Sequence, residues 1–261
     1  MLLLKLFLVP LFLLLLTLAG RRWGPSVAGW LAGLPVVAGP ILLFLSLEHG
    51  AGFAADAAAA ALSAVVASVS FSVAYSHAAQ RWGWRVSLAL ALIAWGVAAL
   101  CLSFIPPSAT TSLAVSLLVL AIAPRLFPHM DESSIARVFS VGELGGRMVA
   151  GALLTLAVTF AANLVGSTWS GLLAVFPLLG SVLAVFSHRA NGPAFVAHLL
   201  RGMAAGLYSF VAFCFALSVS LPEAGIALAF AASGLIGVAV QLLSKRRLRR
   251  APGELATTTS G

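Results

Sequence analysis

Charge is what this sequence lacks. Aspartate and glutamate together number 7 in 261 residues, lysine and arginine 15, and charged residues of either sign make up 8% of the chain. A water-soluble domain of this length carries roughly a quarter charged residues to cover its surface, so a soluble globular fold is excluded. Cysteine is scarce as well: Cys101 and Cys214 lie in different apolar runs and give no disulfide framework. His77, His129 and His188 are scattered, without metal-ligand spacing. There is no G-x-S-x-G, no H-E-x-x-H, no phosphate loop and no pair of aspartates inside an apolar run. The sequence therefore assigns no catalytic residue, no metal ligand and no cofactor, and the chain reads as something other than an enzyme.

What is present is hydrocarbon. Hydrophobic residues make up 61% of the chain and the mean hydropathy is +1.09. A helix needs about 20 apolar residues to cross a bilayer core of roughly 30 Å. Such runs fall at Leu2–Leu18, Val27–Leu47, Phe53–Ala78, Val86–Ile105, Thr110–Ala123, Val149–Val165, Trp169–Ser187, Ala194–Ser220 and Ala224–Leu243. The pattern predicts an all-α, polytopic membrane protein of about nine transmembrane helices, Thr110–Ala123 being the shortest. Membrane strands would alternate apolar and polar residues over about ten positions, and no segment does.

The basic residues order these spans. Arg21 and Arg22 follow span one, Arg81 and Arg85 span three, Arg125 and Arg137 span five, Arg189 span seven, and the tail carries Lys245, Arg246, Arg247, Arg249 and Arg250. The intervening connections, at Glu48-His49, Pro106-Pro107, Asn163–Ser167 and Pro222-Glu223, hold no lysine or arginine. Positive loops stay in the cytoplasm, which predicts a periplasmic N-terminus and a cytoplasmic C-terminus. The net charge of +8 is then a topology signal; contact with anionic headgroups follows from it, and nucleic-acid binding does not. Residues 1–20 resemble a secretory signal, but Arg21-Arg22 follow the apolar run instead of preceding it, so span one is expected to be retained.

The chain repeats itself. "AGWLAGLPVVAG" at 28–39 and "WSGLLAVFPLLG" at 169–180 each set a glycine six residues ahead of a proline. Sliding the chain by 142 positions puts Lys5 on Arg147, Thr17 on Thr159, Gly24 on Gly166, Gly29 on Gly171 and Pro35 on Pro177. Phe44 then meets Phe186, Gly50 meets Gly192, Phe53 meets Phe195 and Phe71 meets Phe213. After one residue of slippage, Gly96-Val97-Ala98 meets Gly237-Val238-Ala239. Each repeat holds four spans and a single span lies between them, so the second repeat is inverted in the membrane. The expected organisation is repeat A at 1–105, a connector helix and loop at 106–142, repeat B at 143–245, and a basic tail at 246–261. Inverted repeats are the framework of many secondary transporters.

Proline inside a helix frees a backbone carbonyl, and in lipid that carbonyl needs a partner in protein or in a wet cavity. Pro35, weakened further by Gly39-Pro40, and Pro177 with Gly180 mark equivalent interruptions and are the first candidates for a substrate site. The alternative is a packing kink. Ionisable groups within apolar runs add Asp56, its repeat equivalent His198, and Arg201 three residues further on the same helix face. The alternative for these is snorkelling of interfacial side chains. Arg201 stands more than a turn inside an apolar run, and Asp56, carbonyls freed by Pro177 or an anionic ligand are its candidate partners. In the central connection, Asp131, Ser133 and Ser134 can cap a short interfacial helix that Gly145-Gly146 would end, and Glu143 can pair with Arg147 at i, i+4. The small residues of Ala54–Ala67, matched loosely by Gly202, Ala204, Ala205 and Gly206, predict that spans three and eight pack closely at the centre.

The second half, through Phe176-Pro177, Arg189, Gly192 and Arg201, resembles the GlpM family of small bacterial inner-membrane proteins. Those have four spans, with Leu-Phe-Pro in one helix, a polar glycine-containing turn, and basic residues early in the next helix. The first half matches weakly and has Ala59 where Arg201 stands. The resemblance implies architecture more than activity: a fused, double-length version of a four-span unit, in a bacterial inner membrane.

The expected function is a secondary transporter or exporter of a small molecule or a lipid-like, anionic substrate, to which proton or sodium coupling and homodimerisation can be added. The alternative is a non-transporting membrane subunit that assists envelope-polymer or lipid synthesis.

Overall fold

The computed structural model describes residues 2–104, 108–129, 142–164 and 177–248; within these, side chains are described except at 2–6, 8, 142–143, 158–164 and 245–248. The described residues form helices and no strand: α1 (Leu2–Trp23), α2 (Pro25–Ala32), α3 (Ala38–His49), α4 (Ala51–Ser63), α5 (Val65–Ala79), α6 (Trp84–Ser103), α7 (Ala109–Leu126), α8 (Gly142–Leu164), α9 (Leu178–Ala224) and α10 (Ile226–Leu248). Helices α4 and α5 make one run with a step at Ala64. Five stretches are long and apolar enough to cross a membrane: Ala51–Ala79, Trp84–Ser103, Ala109–Leu126, Leu178–Ala224 and Ile226–Ser244. The short fifth run of the sequence is among them.

Large apolar side chains cover the outer faces as well as the core. Along α6 the inward stripe is Ser87, Ala91, Trp95 and Ala99, one residue per turn, while Ile93 and Val97 are exposed. Along α7 the inward stripe is Ser112, Ser116, Leu120 and Ala123, and Leu118 faces out. Serines and alanines recur on these inward stripes beside Trp95 and Leu120, and large aliphatic side chains stand outside, as lipid allows, because tails solvate leucine as well as protein does and helices gain by approaching closely. Buried hydroxyls tie the helices: Ser116 Oγ donates to the Leu62 carbonyl at 2.8 Å, joining α7 to α4, and Ser209 Oγ donates to the Gly237 carbonyl at 2.7 Å, joining α9 to α10.

Helix α9 is the hub, packing on α2, α4, α5, α7, α8 and α10. It has two limbs, 178–191 and 193–224, that turn at Gly192 with φ 82° and ψ −177°. The polar turn expected between spans seven and eight is thus one residue. Gly50, between α3 and α4, turns the same way at φ 87° and ψ 168°. That region of backbone space is open to glycine and costs other residues about 1–3 kcal/mol.

One expectation is overturned. Gly145-Gly146 does not end a helix: both lie inside α8, which starts at Gly142. Intrahelical bonds carry the chain through them, and an added Cβ at Gly145 would meet nothing within 4 Å. The short helix expected around Asp131, Ser133 and Ser134 lies outside the described residues, as does the first part of the expected span Trp169–Ser187.

Candidate functional site

The prolines set the local geometry. Helix α2 stops at Ala32 and α3 resumes at Ala38, with Pro35 in the gap. Proline has no amide to offer the Leu31 carbonyl, which accepts instead from the Leu34 amide at 3.1 Å. The helix restarts when the Gly39 amide donates to the Pro35 carbonyl at 2.7 Å. Pro177 stands immediately before α9, and its carbonyl accepts from the Ser181 amide, also at 2.7 Å. Gly39 and Ser181 are 142 positions apart, as the prolines are.

Gly39 and Gly180, at the starts of α3 and α9, face the central helices. A Cβ on Gly39 would lie 3.6 Å from the ring of Phe213 on α9; one on Gly180 would lie 3.4 Å from Met203 Cε and 3.6 Å from the ring of Phe71 on α5. Phe71 and Phe213 share the same 142-residue separation. Pro177 and Gly180 are buried, while Pro35 and Gly39 are half-buried. Ser181, 5% exposed, has a hydroxyl without a partner among the described residues.

Beside this, α2 crosses the second limb of α9 with no side chains between them. Gly29 lies against the Leu199 carbonyl, Gly202 against the Ser26 carbonyl, Gly33 against the Gly206 backbone, and Gly206 against the Trp30 carbonyl. Each side of the crossing carries two glycines four residues apart, Gly33 being the residue that follows α2, and this spacing lets membrane helices touch backbone to backbone. A polar clasp closes the crossing: Trp30 Nε1 donates to Ser244 Oγ at 2.8 Å, and Gln241 Nε2 donates to the Trp30 carbonyl at 2.7 Å. Gln241 is 3% exposed, and its Oε1 accepts from no described group.

The ionisable candidates are placed less centrally. Asp56 is exposed on α4, Arg201 is exposed on α9, and His198 is half-buried on α9. Among the described residues the enclosed guanidinium is that of Arg147, 1% exposed, near the start of α8. Its Nη1 donates to Thr17 Oγ1 at 3.3 Å, and it lies 5.8 Å from the centre of the Phe186 ring. Thr17 in turn donates to the Leu13 carbonyl at 2.7 Å. One arginine thus links α8 to α1 and to the first limb of α9.

The structure therefore gathers Pro35, Gly39, Pro177 and Gly180 around α5 and α9 and leaves Asp56 and Arg201 outside. Sequence reasoning passed over Trp30, Gln241 and the burial of Arg147. Gln241 had a legible signal, being the glutamine that falls inside an apolar run. Arg147 had a fainter one, its register with Lys5.

Comparison with protein-family models, with curated proteins and with solved structures gives no match for this chain. Among the described residues no group of three or more histidine, cysteine, aspartate or glutamate side chains could hold a metal ion. What the site offers is one helix interrupted at Pro35, a second helix that starts beside Pro177, a close glycine crossing and buried hydroxyls.

Proposed function

We propose that the chain is a secondary transporter or exporter built from two inverted repeats, 1–105 and 143–245, in a bacterial inner membrane. One observation supports the reading: two residue pairs of the 142-residue register share a local backbone feature, although Gly83 (φ −66°) and Gly225 (φ 75°), also 142 apart, do not. Pro35 and Pro177 each accept the amide four residues on at 2.7 Å, and Gly50 and Gly192 each turn the chain at a φ near +85°. Interrupted helices at equivalent points of inverted repeats are where such transporters bind substrate. A lateral groove of about 550 Å³ between α7, α9 and α10, lined by Leu113, Tyr208, Phe215 and Ile236 among others, favours a lipid-like substrate. The resemblance to the GlpM family, in this reading, makes the chain a fused pair of four-span units. Asp56 and Arg201, being exposed, fit the snorkelling alternative better than substrate contact.

The second reading, a non-transporting subunit of an envelope or lipid-synthesis complex, is favoured by the apolar walls at the interruptions, where Phe71, Met203 and Phe213 stand. Cysteine accessibility separates the two. With Cys101 replaced by alanine, Gly39→Cys and Ser181→Cys should each react with a small water-soluble thiol reagent from both faces of the membrane. Protection of both positions from both faces would leave a static, dry core and support the subunit.

A further inference from the structure

At the end of α5 the chain turns through Gln80–Gly83 into α6, and this turn borders a crevice of about 370 Å³. Its rim is polar, formed by His77, Gln80 and Arg81, and its floor is apolar, formed by Ala74, Ala78 and Leu90. Leu90 lies six residues into α6, about 9 Å along the helix at 1.5 Å per residue. The crevice therefore runs from the end of two spans into the depth a lipid chain occupies. Trp82 on its wall is 48% exposed, as interfacial tryptophans are.

The surroundings are set for an anion. Two carbonyls at the end of α5, which would repel one, are engaged: Ala78 O accepts from the Arg81 and Trp82 amides at 3.1 and 2.9 Å, and His77 O accepts from the Gln80 amide at 3.3 Å. The first turn of α6 presents the positive end of a helix beside it. Further positive charge stands at Trp84, two residues beyond Trp82 of the crevice wall. The Arg85 and Arg189 guanidinium groups lie 5.2 and 5.6 Å from the centre of the Trp84 ring. The nearest acidic residue on the same span, Asp56, stands at its far end. His77 Nε2–H donates to the Leu126 carbonyl at 2.8 Å, fixing the crevice wall to α7.

We infer that this crevice binds the headgroup of an anionic phospholipid, its phosphate held by Arg81 with Gln80 and its acyl chain laid on Leu90. A guanidinium fork matches phosphate in two-point geometry. The apolar floor selects a lipid over a free anion, because inorganic phosphate gains nothing from it. The inference requires that α5 and α6 span a membrane and is independent of any transport.

The test is thermal stability of the detergent-purified protein titrated with phosphatidylglycerol, with phosphatidylcholine, and with inorganic phosphate alone. Phosphatidylglycerol should raise Tm saturably, and the other two should not. Arg81→Gln should weaken the phosphatidylglycerol response about fivefold, from roughly 1 kcal/mol per basic side chain at an anionic surface. Arg22→Gln, at an exposed arginine of another turn, should leave it unchanged. If Arg81→Gln does not fold, Leu90→Trp, which fills the floor from an exposed helix face, should abolish the response. An equal rise with phosphatidylcholine would reduce the crevice to ordinary lipid contact, and a rise with phosphate alone would make it a free-anion site. A response that survives Arg81→Gln or Leu90→Trp would place the lipid elsewhere; each of these outcomes overturns the inference.

Discussion

The backbone of Gly206 packs directly on the carbonyl oxygen of Trp30, leaving no room for a methyl group between α9 and α2. Gly206→Ala should therefore force the helices apart and cost about 1–3 kcal/mol, as overpacking does. Gly234 on α10 has nothing within 4 Å of an added Cβ. Gly234→Ala should leave Tm unchanged or higher, since alanine is the better helix former. Thermal melts of the two variants in one detergent check the contrast.

The Arg147–Thr17 contact should behave as a coupled pair. Arg147→Met removes a buried guanidinium and Thr17→Val removes the hydroxyl that accepts from it, and each should cost about 1–3 kcal/mol. The double variant should lose less than the sum. Arg201→Met, at an exposed position, should fall within about 0.5 kcal/mol of wild type. Stability measured for all four variants decides whether the interior arginine is 147 or 201.

Gly50 and Gly192 should tolerate alanine equally badly. Both sit at positive φ with extended ψ, so Gly50→Ala and Gly192→Ala should each lose about 1–3 kcal/mol. Gly52, where an added Cβ meets nothing within 4 Å, is the control, and Gly52→Ala should be neutral. A loss confined to one of the two turns would break their equivalence.

Much of this fold was legible because lipid demands long apolar runs, and long runs survive a one-dimensional reading. The proline gap at 33–37 could be read because proline lacks an amide wherever it stands. Burial within a span was harder. Hydropathy counts Arg147 as the edge of a loop and Arg201 as an intruder in a helix, yet helix rotation turns the first inward onto Thr17 and the second outward. Rotation follows from which neighbours pack where, and residue order alone does not carry that. The Trp30–Gln241 hydrogen bond joins residues 211 positions apart, a separation no local pattern encodes. The Gly29/Gly33 and Gly202/Gly206 pairs were visible as spacing, but their mutual contact was not.

The central claim is that the halves are inverted, and the two glycine turns test it most directly. In a variant with Cys101 replaced by alanine, single cysteines at Gly52 and Pro193, both exposed and just past the turns, are labelled in intact cells with a membrane-impermeant maleimide. The account predicts that Gly52→Cys reacts from outside and that Pro193→Cys reacts only after the membrane is opened. Labelling of both from the same side would make the halves parallel and contradict it.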